Sequence, residues 1–455
     1  MVQSASFPVN ARHPGWDERA EPRDANVPGI LPRAKRIAIR PVRAALLRYA
    51  RAAPSAAEAA GAERRLFILL WTAWGMGGTI RAAFNLAEYL TGHGYEVEII
   101  SAIRDRDEPF FGAFPAGVKV SVLDDRRPGV RRRALLPRFL RSRASLLIPN
   151  TDRAVSGFSL WTDLRLVRRL RGRAGFLLGT RPGVNVMIAR LDAPGLTAIG
   201  LEQMNLSKHG RGLRRSMHEH YPGLAALVVL TERDRAAYAE LLGGGLPLHR
   251  IPNTVRPLPG AKADLTARTV YAAGRFRYQK GFDLLIPAWA EIARAHPGWR
   301  LRLRGSGRLE SRLRGLVAEH GLEDAVTLEG PAEDIGSDMA EASIFVLSSR
   351  FEGFPLILLE AMSKGMGVVS FDCPTGPADI VDDHRNGLLV PEEDVEGLAR
   401  AIREMVEDED LRRRTAAAAV ETAQQYTIEA IGPLWLALLD ELSRASRCAP
   451  AGTRG

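Results

Sequence analysis

The passage from Ile344 to Met362 constrains this chain more than any other. In it an unbroken apolar run, Ile344-Phe345-Val346-Leu347, gives way to Arg350-Phe351-Glu352-Gly353-Phe354-Pro355 and then to Leu356-Ile357-Leu358-Leu359-Glu360-Ala361-Met362. Four apolar residues without alternation predict a strand buried on both faces, the kind found in parallel sheets covered by helices. Gly353 permits a tight turn, and Pro355 suits the start of the following helix because its missing N–H would have no partner there anyway. Two carboxylates with seven residues between them therefore flank one strand-to-helix turn: Glu352 in the loop, Glu360 on the helix. A helix N-terminus at the carboxyl edge of such a sheet offers backbone N–H groups to a phosphate or a sugar hydroxyl, and carboxylates accept hydrogen bonds from polyols. Taken alone, the pair also fits an ordinary surface Glu beside a helix Glu.

The same grammar recurs upstream. Val270-Tyr271-Ala272-Ala273 predicts a short strand ending at Gly274, followed by the basic loop Arg275 to Lys280 and an apolar-periodic helix after Gly281. Leu301-Arg302-Leu303-Arg304 alternates as a strand and closes on Gly305-Ser306-Gly307, a weak signal in isolation. Val326-Thr327-Leu328-Glu329-Gly330 and the stretch from Gly367 to Ile380, with Asn386 to Pro391 after it, continue the series. Basic loop residues are most often solvated; two of them directly after a strand suit an anionic ligand better.

In order and spacing these segments resemble glycosyltransferase family 4 (retaining, glycosyl transferases group 1), over most of residues 268 to 395. The resemblance implies an α/β chain of GT-B fold, with two facing Rossmann-like domains and a cleft between them. It implies that Glu352 lies near the donor sugar, that Glu360 meets the ribose hydroxyls, and that Arg275 and Lys280 neutralise the leaving diphosphate without a metal ion. The donor is further expected to meet Gly77, Gly78, Gly274, Gly305, Gly307, Gly330, Gly353, Phe354, Pro355 and Leu356. No cofactor is implied, the nucleoside diphosphate sugar, UDP- or GDP-linked, being a substrate.

In the amino-terminal half, Arg65 to Trp71 reads as a buried strand leading into Trp74-Gly75-Met76-Gly77-Gly78-Thr79 and an amphipathic helix. Phe176 to Gly183 and Ala198 to Asn205 repeat the strand-then-polar-loop pattern, and by the resemblance Arg181, Glu202, Gln203 and Asn205 fall to the acceptor. Family members place a histidine near the second of these strand ends; here the nearest residues are Gln203 and His209, and His209 reads either as that catalytic group or as a plain surface histidine. The arginines from Arg126 to Arg143 suggest a surface for a polyanionic acceptor, against the reading of a solvated loop.

The domain boundaries expected are 1–62, a disordered basic extension with one helix after Pro41; 63–255, the acceptor domain; 256–430, the nucleotide-sugar domain; and 431–455, a helix crossing back to the first domain. In the extension Val42, Ala45, Leu46 and Tyr49 form a short apolar stripe among arginines, which fits docking on an anionic membrane surface as well as it fits a solvated tail. The formal charge of +10 points to acidic partners, yet no zinc spacing, helix-turn-helix cue or RNA-binding aromatic signature favours nucleic acid. Two cysteines, Cys373 and Cys448, exclude a disulfide framework, and no apolar run approaches the roughly 18 to 20 residues of a spanning helix. The expectation is a cytoplasmic enzyme, on the inner face of the plasma membrane if the extension docks there. It would transfer a sugar to a cell-surface polymer such as a teichoic acid, or to a phosphoinositide-type lipid. A catalytically silent GT-B scaffold that binds an anionic surface and a glycogen-synthase-like enzyme are the rival readings.

Overall fold

A computed structural model of the chain describes residues 33–130, 135–152, 157–332 and 334–448. The expectations for residues 1–32 and for Arg131, Arg132 and Arg133 lie outside these. Within the described residues the chain forms two compact units: one ends at Thr254 and resumes at Ile428, and the other is Val255–Thr427.

The first unit is built on seven strands: β1 (Arg65–Thr72), β2 (Glu96–Arg104), β3 (Lys119–Asp125), β4 (Gly175–Gly179), β5 (Leu196–Leu201), β6 (Ala226–Val229) and β7 (Leu248–Arg250). All pair in parallel, in the order β3-β2-β1-β4-β5-β6-β7. The central strands read as apolar runs because helices cover both faces: Leu66, Phe67, Ile68, Leu69 and Leu70 are all buried. The helix Ile428–Cys448 packs in this unit against the helix Gly78–Gly92, where Gly432 leaves room for the Tyr89 ring; a Cβ there would sit 2.3 Å from Cζ.

The second unit has six strands, β8 (Thr269–Ala273), β9 (Arg300–Arg304), β10 (Val326–Glu329), β11 (Ile344–Leu347), β12 (Gly367–Asp372) and β13 (Leu388–Pro391). These too are all parallel, in the order β10-β9-β8-β11-β12-β13. Its core gathers Trp289, Phe276, Leu285, Val346 and Phe371 beneath the helices Phe282–Ala295 and Val395–Glu407. In each unit the chain reverses its direction of travel across the sheet at one place, between β1 and β4 and between β8 and β11. Such reversals splay the loops at the carboxyl edge and leave room for a ligand.

The amino-terminal extension departs from the expectation. From Arg33 onward it is ordered, and the helix Arg33–Ala50 contains Pro41 rather than starting after it. Proline forfeits one i→i−4 hydrogen bond, but here it lies on an exposed face, while Leu46 and Ala50 are buried and the helix packs on Leu160–Leu170. The packing outweighs the lost bond. Of the apolar stripe only Leu46 is used in this way, for Val42, Ala45 and Tyr49 stay exposed. No helix among the described residues is long and apolar enough to cross a membrane.

Candidate functional site

At the reversal of the second sheet, the loop after β8 and the loop after β11 lie side by side. Lys280 Nζ donates to Glu352 Oε1 at 2.7 Å, joining the two motifs that are 72 positions apart in sequence. The same oxygen accepts from Ser349 Oγ at 2.6 Å, and the Glu352 carbonyl accepts from Thr375 Oγ1 at 2.9 Å. Thr375 is held at φ 62°, a left-handed conformation that a β-branched residue rarely adopts, so the backbone beneath Glu352 is strained. Glu352 and Glu360 are both buried, Glu360 on the helix Leu356–Lys364. Pro355 is the N-cap of that helix and Leu356 its first residue, while Gly353 and Phe354 are buried in the turn before it.

Glycine is required where the strand ends meet. Gly274 has φ +157°, and a Cβ on Gly305 would lie 1.9 Å from the Gly274 carbonyl oxygen. Gly307 similarly abuts the Phe276 carbonyl, at 2.4 Å from a would-be Cβ. Arg275 projects as an exposed side chain from this junction and makes no ion pair among the described residues, and Gly330 lies exposed after β10. Cys373 is fully buried beside these loops, where burial pushes its thiol pKa up, so it packs rather than reacts.

The first unit gathers a second polar cluster at its own reversal and along β5. Gly77, at φ +155° with open space before it, is the N-cap of the helix that Gly78 begins. Arg181 reaches Asp152 at 3.4 Å and lies 5.6 Å from the Trp71 ring. Glu202 is buried: its Oε1 accepts from Asn185 Nδ2 at 2.8 Å and from the Tyr221 hydroxyl, and Tyr221 stacks on Tyr238. His209 Nε2, itself buried, stands 3.8 Å from the other carboxylate oxygen, and neither atom has a hydrogen-bond partner among the described residues. Burial raises the Glu202 carboxyl to about 7, against the pull of its Tyr221 and Asn185 hydrogen bonds. Burial also lowers His209 to about 4, with Arg214 and Arg181 acting in the same direction and Asp152 opposing.

Glu202 and Asn205 are buried, and Asn205 caps the turn Leu206–Lys208 by accepting from the Lys208 N–H. The amide of Gln203 is engaged in a reciprocal pair with Asn253. All three hold the β5 loop in place, and of the four Arg181 and Gln203 are partly exposed. His209 is not the surface histidine that its neighbours in sequence suggest. The arginine-rich segment is also less available than its composition implies: Arg126 and Arg141 both pair with Asp124, and Arg127 pairs with Asp125 and Asp107.

Sequence reasoning missed Ser349, Thr375, Gln279, Arg350 and Asp283, each of which touches a motif residue or its loop. Ser349 and Arg350, two or three positions before Glu352, were within reach of a local reading. Thr375 could not be found, because its contact is made only by the fold.

Residues 260–422 match the model of the family Glycosyl transferases group 1. Among solved structures the chain resembles TarM of S. aureus, in complex with Fondaparinux, alpha-GlcNAc-glycerol and UDP, at a TM-score of 0.66 and 16% identity, with 83% of this chain and 100% of that chain covered. The sucrose-phosphate synthase of Thermosynechococcus elongatus gives a TM-score of 0.66 at 20% identity, covering 84% and 100%. The chain has the GT-B glycosyltransferase fold. Among curated proteins, the chain is 36% identical over 383 residues to the exopolysaccharide phosphotransferase SCO2592 of Streptomyces coelicolor, a match covering 81% of this chain and 40% of that protein's length. The amylovoran biosynthesis glycosyltransferase AmsD of Erwinia amylovora is 25% identical over 386 residues, covering 83% of this chain and 99% of AmsD.

Proposed function

We propose that this GT-B chain is a retaining glycosyltransferase of family 4 that moves a sugar from a nucleoside diphosphate sugar to an exopolysaccharide or other cell-envelope glycan, without a metal ion. The observation that carries the reading is the Lys280–Glu352 contact at the reversal of the second sheet, where a cation and a carboxylate share one loop junction at a ligand-binding edge. Arg275 and Lys280 take the diphosphate and stabilise charge that grows on the leaving group, the largest single term in most enzyme catalysis. Glu352 meets the sugar and Glu360 the ribose, while Gly274, Gly305, Gly307 and Gly353 bring backbone close to the ligand. UDP is the favoured nucleotide, since the TarM structure and that of HepE from Anabaena contain it. The glycan class rests on the relatives named for exopolysaccharide and amylovoran. The phosphotransferase name belongs to a protein of which this chain matches 40%, and the glycosyl transferases group 1 match favours sugar transfer here. Contact with an anionic membrane surface forms part of the proposal, supported by exposed Val42 and Tyr49 beside Arg43 and Arg48.

The test is turnover of UDP- and GDP-sugars, followed as nucleotide release, with the anomeric configuration of the product read by NMR. Lys280→Ala and Glu352→Ala should each lower turnover by about 100-fold or more in folded protein, and product should keep the donor's configuration. Near-full activity in either variant would remove these residues from the mechanism, and inverted product would remove the retaining assignment.

A further inference from the structure

The turn that carries Lys280 is fastened to the loop after β11 by Ser348 and by one buried side chain, Arg350. Arg350 is 9% exposed, and its guanidinium joins three loops. Nη1 and Nη2 donate to the two carboxylate oxygens of Asp283 at 2.8 and 2.6 Å, Nη1 also donates to the Tyr278 carbonyl at 2.9 Å, and Nε donates to Glu393 Oε1 at 2.8 Å. Its Cζ lies 4.1 Å from the centre of the Tyr278 ring. The backbone N–H of Arg350 donates to the Gln279 carbonyl at 2.8 Å, and Ser348 Oγ donates to the Lys280 carbonyl at 2.9 Å. Three successive carbonyls, those of Tyr278, Gln279 and Lys280, are thus captured by Ser348 and Arg350. The turn is pressed close: a Cβ on Gly281, which has φ +62°, would lie 1.9 Å from the Ser348 carbonyl oxygen.

We infer that Arg350 is a positioning residue for phosphate binding, locking the Tyr278–Gly281 turn onto the Glu352 loop so that the Lys280 ammonium is presented at a fixed point. The inference rests on the proposed glycosyltransferase reading. A long, flexible lysine placed by a free turn would sample many positions; a turn fastened at three carbonyls confines it. The chemistry of the clamp is specific to arginine. Its planar fork meets a carboxylate in two parallel bonds while Nε serves a second carboxylate, an arrangement that a lysine cannot reproduce. Asp283 lies in the first turn of the helix after the Tyr278–Gly281 turn and Glu393 follows β13, so one side chain sets the spacing of the β8, β11 and β13 loops. Glu393 itself is held at φ 60°, and its carboxylate is fixed by Arg350.

The experiment uses the full chain carrying Arg350→Lys, with Asp283→Asn as a second route to the same loss. Circular dichroism and melting establish that each variant is folded. Hydrogen exchange of the amides from Arg275 to Gly281 is expected to speed up by about tenfold or more in both variants, with the β9 and β12 amides unchanged. Calorimetry with UDP is expected to show affinity lowered by about tenfold, with uridine affinity unchanged, and little further loss when Arg350→Lys is added to Lys280→Ala. Additive losses, or UDP affinity equal to wild type in both variants, would overturn the inference. Absence of UDP, GDP and ADP binding by the wild-type chain would instead overturn the glycosyltransferase reading, and the exchange rates would then decide the clamp: unchanged exchange overturns it.

Discussion

Glu202 and His209 show what single residues contribute and how much of that is hidden from sequence. Between about pH 4.5 and 6.5 the folded pair holds its proton on Glu202, whereas the unfolded chain holds one on the histidine, so the number bound is the same in both states and stability changes little. Removing one partner exposes the other. Glu202→Gln leaves a histidine whose folded pKa is depressed, so stability is present above the unfolded value and falls as pH drops from about 6.5 to 4. His209→Asn leaves a carboxyl whose folded pKa is raised, so stability is full at low pH and falls as pH rises from about 4.5 to 7. Urea unfolding at pH 5 and pH 7.5 should therefore shift in opposite directions for the two variants, by on the order of 1 to 3 kcal/mol relative to wild type; shifts of the same sign would contradict the burial of one or other group described here. A second residue-scale expectation concerns Gly281→Ala, which meets both a left-handed backbone and the Ser348 carbonyl. It should cost more than about 1 to 3 kcal/mol in denaturant unfolding, and a neutral result would mean that the turn is looser than described. Glu352 and Lys280 were legible in sequence because each sits at a fixed offset from a strand and a glycine. The Glu202–His209 contact was not, since nothing in the order Gln203 to Lys208 reveals that the loop folds the imidazole back under β5.

The strands and their following loops were the elements most readily read, because runs such as Ile344–Leu347 and Leu66–Leu70 have no polar alternation to suggest a solvent face. The helix Arg33–Ala50 was read too short for a physical reason: Pro41 is a local signal for a break, and the surface that compensates for it, Leu160–Leu170, lies more than a hundred residues away. In the arginine-rich segment Arg126 and Arg127 pair with Asp124 and Asp125, two positions before each, a contact legible in sequence, whereas the Arg127–Asp107 and Arg141–Asp124 pairs are made by the fold. At this scale the docking of the last helix can be tested. Gly432→Val places atoms within the Tyr89 ring, 2.3 Å from Cζ at the Cβ alone. The variant should release the helix Ile428–Cys448 to proteolysis while the second unit stays resistant, and an unchanged cleavage pattern would contradict the packing described.

Across the whole molecule two parallel sheets repeat one plan, each reversing at its first strand, and the residues singled out in sequence fall largely at those reversals. The two-unit layout was legible from the recurrence of strand, glycine loop and helix; the strand order and the wiring among loops required the fold. The central claim is that the junction of the β8 and β11 loops binds a nucleoside diphosphate through Arg275 and Lys280. The most direct test is calorimetry of UDP, GDP and ADP with the wild-type chain and with the Arg275→Ala, Lys280→Ala double variant. The account predicts micromolar binding of one nucleotide, UDP first, that is lost in the double variant. Binding that survives both substitutions, or no binding of any of the three by folded protein, would contradict it.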